Sequence, residues 1–236
     1  MTVLARRVEE SEAAIRIAGE VATVDRRGAL FFPSSQTLVV SDLHLEKGSS
    51  FARRGQLIPP YDSAATLALL AAVIAEYAPA IVVSLGDSFH DSDGANRLHV
   101  SFRAQLEAMM VGRDWFWIAG NHDPHFPANL PGDAVRELAL GALVFRHEPL
   151  RGATPGEVAG HLHPCARIVQ RGRSVRRRCF ATDGSRMIMP AFGAYTGSLN
   201  VLDRAYSGLF QRKGLMAYMI GVDRVFAIAG SLLRPG

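Results

Sequence analysis

Asp42 and His44 stand two positions apart at the end of an apolar run, in the stretch LVVSDLHLE from Leu38 to Glu46. In an extended segment the side chains at i and i+2 point to the same side. A carboxylate and an imidazole would then converge while Leu43 turns back toward the core. Such a pair suits a metal, a catalytic dyad or a capping arrangement, and three residues do not choose among them. Related endings recur along the chain. AIVVSLGD closes on Gly86-Asp87, and WFWIAGNHD closes on Gly120-Asn121-His122-Asp123. GEVAGHLHP carries Gly160-His161-Leu162-His163, which repeats the first alternation with histidine in both places. His147 lies between the last two, in VFRHEP.

Each element alone is ordinary. Asp-x-His occurs in solvated loops, Gly-Asp in turns and Asn-His-Asp at helix caps. Their order is less ordinary. Of the 8 histidines, only His90, His99 and His125 fall outside these elements. In open α/β sheets ligands sit at the carboxyl ends of the strands. Asp, Asn and His delivered there from separate strands would make a multi-metal site.

The elements that must position these residues can be read from periodicity. AAIRIAG, VATVDRRGALFF with its Arg26-Arg27-Gly28 turn, and TLVVSD read as strands. Asp62 is placed to cap a helix over SAATLALLAAVIAEYA, with Leu67, Leu70, Ile74 and Tyr77 at helical spacing and Pro79 as the stop. AIVVSLGD is a short apolar run of the kind buried on both faces. A second helix is expected from Asn96 to Met110, and WFWIAGNHD follows as another strand. Strand, helix, strand, helix, strand implies a mainly parallel sheet. The second half reads as β-strands, with a hairpin signal at Thr182-Asp183-Gly184-Ser185. No low-complexity linker or repeat divides the chain. The expectation is an α/β protein in which two sheets pack together in one domain, residues 1–236.

Composition narrows the setting. Hydrophobic residues make up 48% of the 236 residues, as in a folded globular protein. No apolar run approaches the roughly 18 residues that span a bilayer. MTVLARRVEESEAAIRIAGE lacks the long apolar core of a secretory signal. The 2 cysteines, Cys165 and Cys179, are too few for a disulfide framework and fit a reduced cytoplasmic protein. The net charge is +4 and the pI about 9.4. Lys47 and Lys213 are lysines and the rest of the 26 basic residues are arginines, whose fork matches two phosphate oxygens.

Six of those arginines crowd into ARIVQRGRSVRRRCF, directly after His163: Arg167, Arg171, Arg173, Arg176, Arg177 and Arg178. They make a strip able to draw a nucleic-acid backbone toward the histidines, or a solvated hairpin face. Strand alternation would split them between two faces. Phe51, Tyr61 and Tyr195 are aromatics placed to stack on bases or to fill the core.

The ordered set D-x-H, G-D, G-N-H-D, a lone His and G-H-x-H over residues 38 to about 165 resembles the calcineurin-like metallophosphoesterase superfamily. The resemblance implies a two-sheet β-sandwich flanked by helices, with a dinuclear centre. It implies that Asp42, His44, Asp87 and His163 hold one metal. Asp87 would bridge to a second, completed by Asn121, His147 and His161. His122 would be the catalytic histidine outside the ligand set, with Asp123 positioned to orient it. Two departures stand out: Arg146 rather than glycine precedes His147, and the second motif reads Gly86-Asp87-Ser88-Phe89-His90-Asp91. That is the G-D-x-F-H form of nuclease-type members, and it puts His90 either near the leaving group or behind a ligand.

A narrower similarity joins SDLHLEKGSSFARRGQLIPPYD, GDSFHD, GHLHPCARI, RRRCF and MPAFGAYTGSLNVLD to the bacterial DNA-ligase-associated metallophosphoesterases, classed as DNA damage response endonucleases. It implies a metal-dependent phosphodiesterase acting on DNA in repair, linked to a ligase, a helicase and an exonuclease. Mixed oxygen and nitrogen ligands admit Mn, Fe or Zn, and the resemblance favours Mn. Arg171, Arg173, Arg176, Arg177 and Arg178 would then contact nucleic acid. A hydrolase of small phosphoesters, such as nucleotides or nucleotide-sugar pyrophosphates, is the alternative, and a non-catalytic scaffold a third.

Overall fold

A computed structural model describes residues 12–124, 130–211 and 213–236. The start of the stretch read for a signal and His125 lie outside the described residues. The first sheet has its strands side by side in chain order: β1 (Glu12–Ile17), β2 (Glu20–Asp25), β3 (Leu30–Phe32), β4 (Thr37–Val40), β5 (Ile81–Ser84), β6 (Asp114–Ile118) and β7 (Asp133–Val135). Pairing is antiparallel from β1 to β4 and parallel from β4 to β7. The parallel steps need crossovers. α1 (Lys47–Arg53) and α2 (Asp62–Tyr77) join β4 to β5, and α3 (Gly94–Arg97) and α4 (Val100–Met110) join β5 to β6.

The second sheet is built from β8 (Glu137–Leu140), β9 (Leu143–Arg146), β10 (Glu157–Ala159), β11 (Pro164–Gln170), β12 (Arg173–Thr182), β13 (Met187–Ile188) and β14 (Leu199–Asn200). Their order is β14-β11-β12-β13-β10-β9-β8. The hairpin of β15 (Met216–Ile220) and β16 (Val225–Ala229) joins it by pairing β15 with β12. The expected Thr182–Ser185 turn links β12 to β13, with Thr182 opposite Met187.

Alternation along the strands makes the layers. Leu38, Val40, Val82, Trp115 and Trp117 leave the first sheet on the side of Leu67, Leu70 and Ile74 of α2 and Leu106 and Met110 of α4. Val39, Val83 and Ile118 leave it on the other side and meet Phe145, Val158, Phe180 and Met187 of the second sheet. Burying each large apolar side chain contributes about 1.5–3 kcal/mol, so both faces of β4 to β6 are held firmly and their C-terminal ends are fixed in space. The sandwich expectation holds, with a difference: among the described residues the α-helices cover the first sheet only. The outer face of the second packs on Val201, Tyr206, Leu209 and Leu233.

Two local expectations are corrected. The helix expected over Asn96–Met110 is broken at Leu98 and His99. His99 takes an extended conformation and its Nδ1 accepts from the Ser101 amide, so it caps α4 instead of sitting inside one helix. Asp62 is the first residue of α2, not its cap. Its Oδ2 accepts from Gly48 N at 3.1 Å, and Ser63 Oγ accepts from Glu46 N and donates to Glu46 Oε1. These bonds fasten the start of α1 to α2.

Candidate metal centre

The segments that follow β4 and β5 are laced together by backbone bonds. Asp42 N donates to Gly86 O, His44 N to Asp87 O and Leu45 N to Ser88 O. On the other side Phe192 N and Gly193 N donate to Ser41 O and Asp42 O. The lacing needs a chain that has left the strand. Asp42, His44, Asp87, His161 and His163 all have φ between +45° and +67°. Their side chains therefore converge through left-handed kinks rather than through the i, i+2 pleat of an extended strand. A non-glycine residue there costs about 1–3 kcal/mol, and such strain clusters at functional sites. Gly86 and Gly160 admit the close approach. A Cβ on Gly86 would lie 2.5 Å from His147 Nδ1, and one on Gly160 would lie 2.6 Å from Asp42 Oδ2.

Seven side chains from these segments share one region. Asp42, His44 and His163 bring ligand atoms within 4.8 Å of one another, and so do Asp87, His147 and His161. Asp87 Oδ2 lies between the groups, 4.0 Å from His44 Nε2 and 3.4 Å from His147 Nε2. Asn121 Oδ1 is 2.9 Å from His147 Nε2, and His161 Nδ1 is 3.2 Å from the same atom. His147, the position with the unusual preceding arginine, is thus brought in with the others. Ions with bonds of about 2 Å hold their ligand atoms roughly 3–4 Å apart, which this spacing matches.

The polar atoms also want a cation. Asp42 Oδ1 is fully buried and has no hydrogen-bond partner, although His163 Nε2 stands 3.1 Å away. Its other oxygen is occupied, accepting from Ser41 Oγ and from His161 N at 3.1 Å. Burial opposes charge on Asp87, but the His147 hydrogen bond and charge outweigh it and hold the carboxyl at about 2. Burial drives His44 down to about 3. Burial also acts against charge on His147, yet the bond to Asp87 and the charges of Asp42 and Asp87 lift it to about 9. Burial holds His44 and His161 toward the neutral form, and the two buried carboxylates drive His147 toward the protonated one.

His122 has a different environment. Its ring is more exposed than those of His44, His147, His161 and His163, with Nδ1 2.8 Å from His90 O and Nε2 4.0 Å from Asp87 Oδ2. The ring stacks on His90 at 5.2 Å, and His44, His90 and His122 form a third group of convergent nitrogens. The expected contact from Asp123 to the His122 ring is absent. Asp123 is buried and accepts from the amides of Asp87, Phe89 and Gly120. It shapes the backbone that carries Asp87, and the His90 carbonyl holds His122. Burial raises the Asp123 carboxyl to about 7 against the pull of those amides.

The arginine strip is the hairpin β11–β12. Register pairs Arg167 with Arg176, Ala166 with Arg177 and Gln170 with Arg173, so alternation divides the strip as expected. Arg171, at the turn, Arg173, Arg176 and Arg177 are exposed, whereas Arg178 is half-buried and donates to Ala191 O. Sequence reasoning missed the carbonyls of Leu85 and His90, which seat His147 and His122 through Nδ1. No residue type marks a carbonyl acceptor. It also missed Lys47, one of two lysines in an arginine-rich chain, which donates to Tyr195 O at 2.8 Å. No helix of the described residues is long and apolar enough to cross a membrane.

The family described as calcineurin-like phosphoesterase matches residues 35–178. Among solved structures, nuclease MPE of Pseudomonas putida is 26% identical, with a TM-score of 0.73, over 92% of this chain and 100% of that one. The phosphoesterase Yfce of E. coli is 16% identical with a TM-score of 0.37, over 82% of this chain and 98% of that one. No curated protein matches the chain.

Proposed function

The chain belongs to the calcineurin-like phosphoesterases, and from that premise we propose that it is a phosphodiesterase, an endonuclease, that cuts nucleic acid at the centre built around Asp87. The enzyme is a metal-dependent phosphoesterase. Asp42, His44, His163 and Asp87 would hold one ion in this reading, and Asp87, Asn121, His147 and His161 the other. Mn is the favoured metal, with Fe or Zn admitted by the same ligands. Bound there, two cations would neutralise the substrate phosphate and make an attacking water more acidic.

The chain's own residues supply the rest. Asp87 fixes the distance between the sites because its carboxylate is held by the His122 amide through Oδ1 at 2.9 Å while Oδ2 faces the histidines. His122 donates through Nδ1 to the His90 carbonyl, so Nε2 is the nitrogen that, in the protonated ring, gives its proton to the leaving oxygen. Asp123 acts by holding the Asp87 and Gly120 backbone.

The observation that carries the nucleic-acid reading is likeness over 92% of the chain to a structure described as a nuclease. An arginine-rich hairpin beginning one residue after His163 supports it. The sequence resemblance extends the reading to DNA repair beside a ligase, a helicase and an exonuclease; the 2 cysteines support a cytoplasmic setting, and the lack of a linker or repeat supports residues 1–236 as one domain. The test is a paired assay with Mn: cleavage of DNA and hydrolysis of a small chromogenic phosphodiester, each across a salt series. DNA affinity should fall with salt while small-ester turnover barely changes. Turnover of the small ester, or of a nucleotide-sugar pyrophosphate, with no DNA cut at any salt would overturn the nuclease reading in favour of a small-phosphoester hydrolase.

A further inference from the structure

One side of the centre is walled by residues the proposed chemistry does not use. From His122 the rings continue outward: His90 stacks on His122, and Phe51 lies 5.5 Å from His90. Lys47 Nζ sits 5.8 Å from the Phe51 ring and donates to Tyr195 O. Tyr195 and Arg178 then line one open concavity of about 370 Å³, floored by Thr66 and Gly193. Gly193 is the residue whose amide donates to Asp42 O, so this concavity lies directly against the backbone of the centre.

Neither charge in the wall sits in a direct ion pair among the described residues. Arg178 is half-buried, has its one hydrogen bond to a carbonyl, and stands in no ion pair of the described residues. Burial alone depresses its basicity, with no carboxylate raising it. Lys47 is partly buried and forms no direct ion pair among the described residues; burial depresses its basicity, and the more distant Asp62 carboxylate offsets that only in part. A cation withdrawn from water without a counter-charge is costly, and an arriving anion offsets that cost. Tyr195 adjoins both, its carbonyl bonded by Lys47 and the residue lining the concavity with Arg178, at φ 58° and with 48% of its surface exposed. An exposed aromatic residue on a left-handed backbone, bonded through its carbonyl to one cation and sharing a concavity with the other, suits a base flanked by backbone phosphates.

We propose that Lys47, Tyr195 and Arg178 form a nucleotide-binding wall that holds the polynucleotide on one flank of the cleaved bond, the cations on successive phosphates and the Tyr195 ring on a base. This rests on the nuclease reading and names where its substrate lies. The wall continues into Arg176 and Arg177, which line the next concavity with Ser198. Arg178 is thereby separated in role from Arg173 and Arg171 at the far end of the hairpin.

The test uses the full-length protein with Mn and three substrates: a small chromogenic phosphodiester, a dinucleotide and a longer oligonucleotide. Tyr195→Ala should raise KM for the oligonucleotide about 5–150-fold, the range for loss of one base stack, with small-ester turnover unchanged. Tyr195→Phe should restore it. Lys47→Met and Arg178→Met should each lower the salt slope of oligonucleotide binding by roughly 0.7–0.9, and Lys47→Arg should recover it. Tyr195 is exposed and Lys47 only partly buried, so their variants remain informative if Arg178→Met folds poorly. Wild-type KM for the oligonucleotide in Tyr195→Ala and Lys47→Met, with DNA still cut, would overturn the wall and leave the nuclease reading standing. A wild-type protein that turns over the small ester and cuts no oligonucleotide would remove both.

Discussion

Gly86→Ala adds one methyl group and changes no charge. Gly86 has φ +77°, and a Cβ there would meet His147 at 2.5 Å from Nδ1, 2.6 Å from Cγ and 2.8 Å from Cβ. Ordinary contact begins near 3.4 Å, so the ring must retreat by about 0.9 Å. The 2.7 Å contact of His147 Nδ1 with Leu85 O would break. Two costs fall on stability: about 1–2 kcal/mol for a left-handed alanine and about 1–3 kcal/mol for overpacking. Misplacing a reacting group by about 1 Å slows turnover on the order of 10²-fold. The assay is turnover of a small chromogenic phosphodiester at saturating Mn, with metal content and denaturant unfolding measured on the same sample. Gly184→Ala is the control: it has φ +83° but open space around it, so it should carry the backbone cost and keep full activity. Gly86→Ala with turnover within twofold of wild type would refute the reasoning that His147 must sit where it does.

Three further outcomes are expected. His122→Ala should keep its metals and lose roughly 10²–10⁴-fold in turnover; loss of metal on analysis would make it a ligand instead. In the metal-free protein His147 titrates at about 9, above its ordinary 6.5, so the stability it contributes is complete below 6.5 and lost as pH rises through 9. Metal must displace that proton, and Mn affinity measured by titration should therefore climb from pH 6.5 to 9; a flat profile would contradict the coupling. Glu157 and Arg186 form a buried ion pair at 2.8 Å, and Glu157 also takes the Leu150 amide in the loop after His147. Glu157→Ala leaves Arg186 buried and unpaired and should lower unfolding free energy by about 3–5 kcal/mol in denaturant titration.

The strands that carry the centre were legible because each is a short apolar run cut off by a polar residue, as in β4, β5 and β6. Their order in a parallel sheet followed from the helices between them. The way the ligands converge was not legible. A pleated reading of Asp42 and His44 puts two side chains on one side, but the backbone instead turns left-handed at both, and sequence does not print φ. Asp123 was misjudged because adjacency to His122 suggested a contact, whereas its oxygens were drawn to the orphan amides of Asp87, Phe89 and Gly120. The break between α3 and α4 hid because Leu98, Phe102 and Leu106 keep helical apolar spacing through the cap. Alternation did separate the arginines of β12, and the burial of Arg178 follows from its register opposite buried Cys165.

Asp87→Asn tests the central claim most directly. Its carboxylate faces His44 on one side and His147 on the other, so the substitution removes charge from both proposed sites while keeping the side chain's size. Metal analysis of the purified protein after equilibration with Mn should give two ions per wild-type chain. The account predicts that both ions bind more weakly in Asp87→Asn, with a larger loss of turnover than removal of any single histidine ligand. Retention of either ion at wild-type affinity would contradict it, because Asp87 would then belong to one site and not to two.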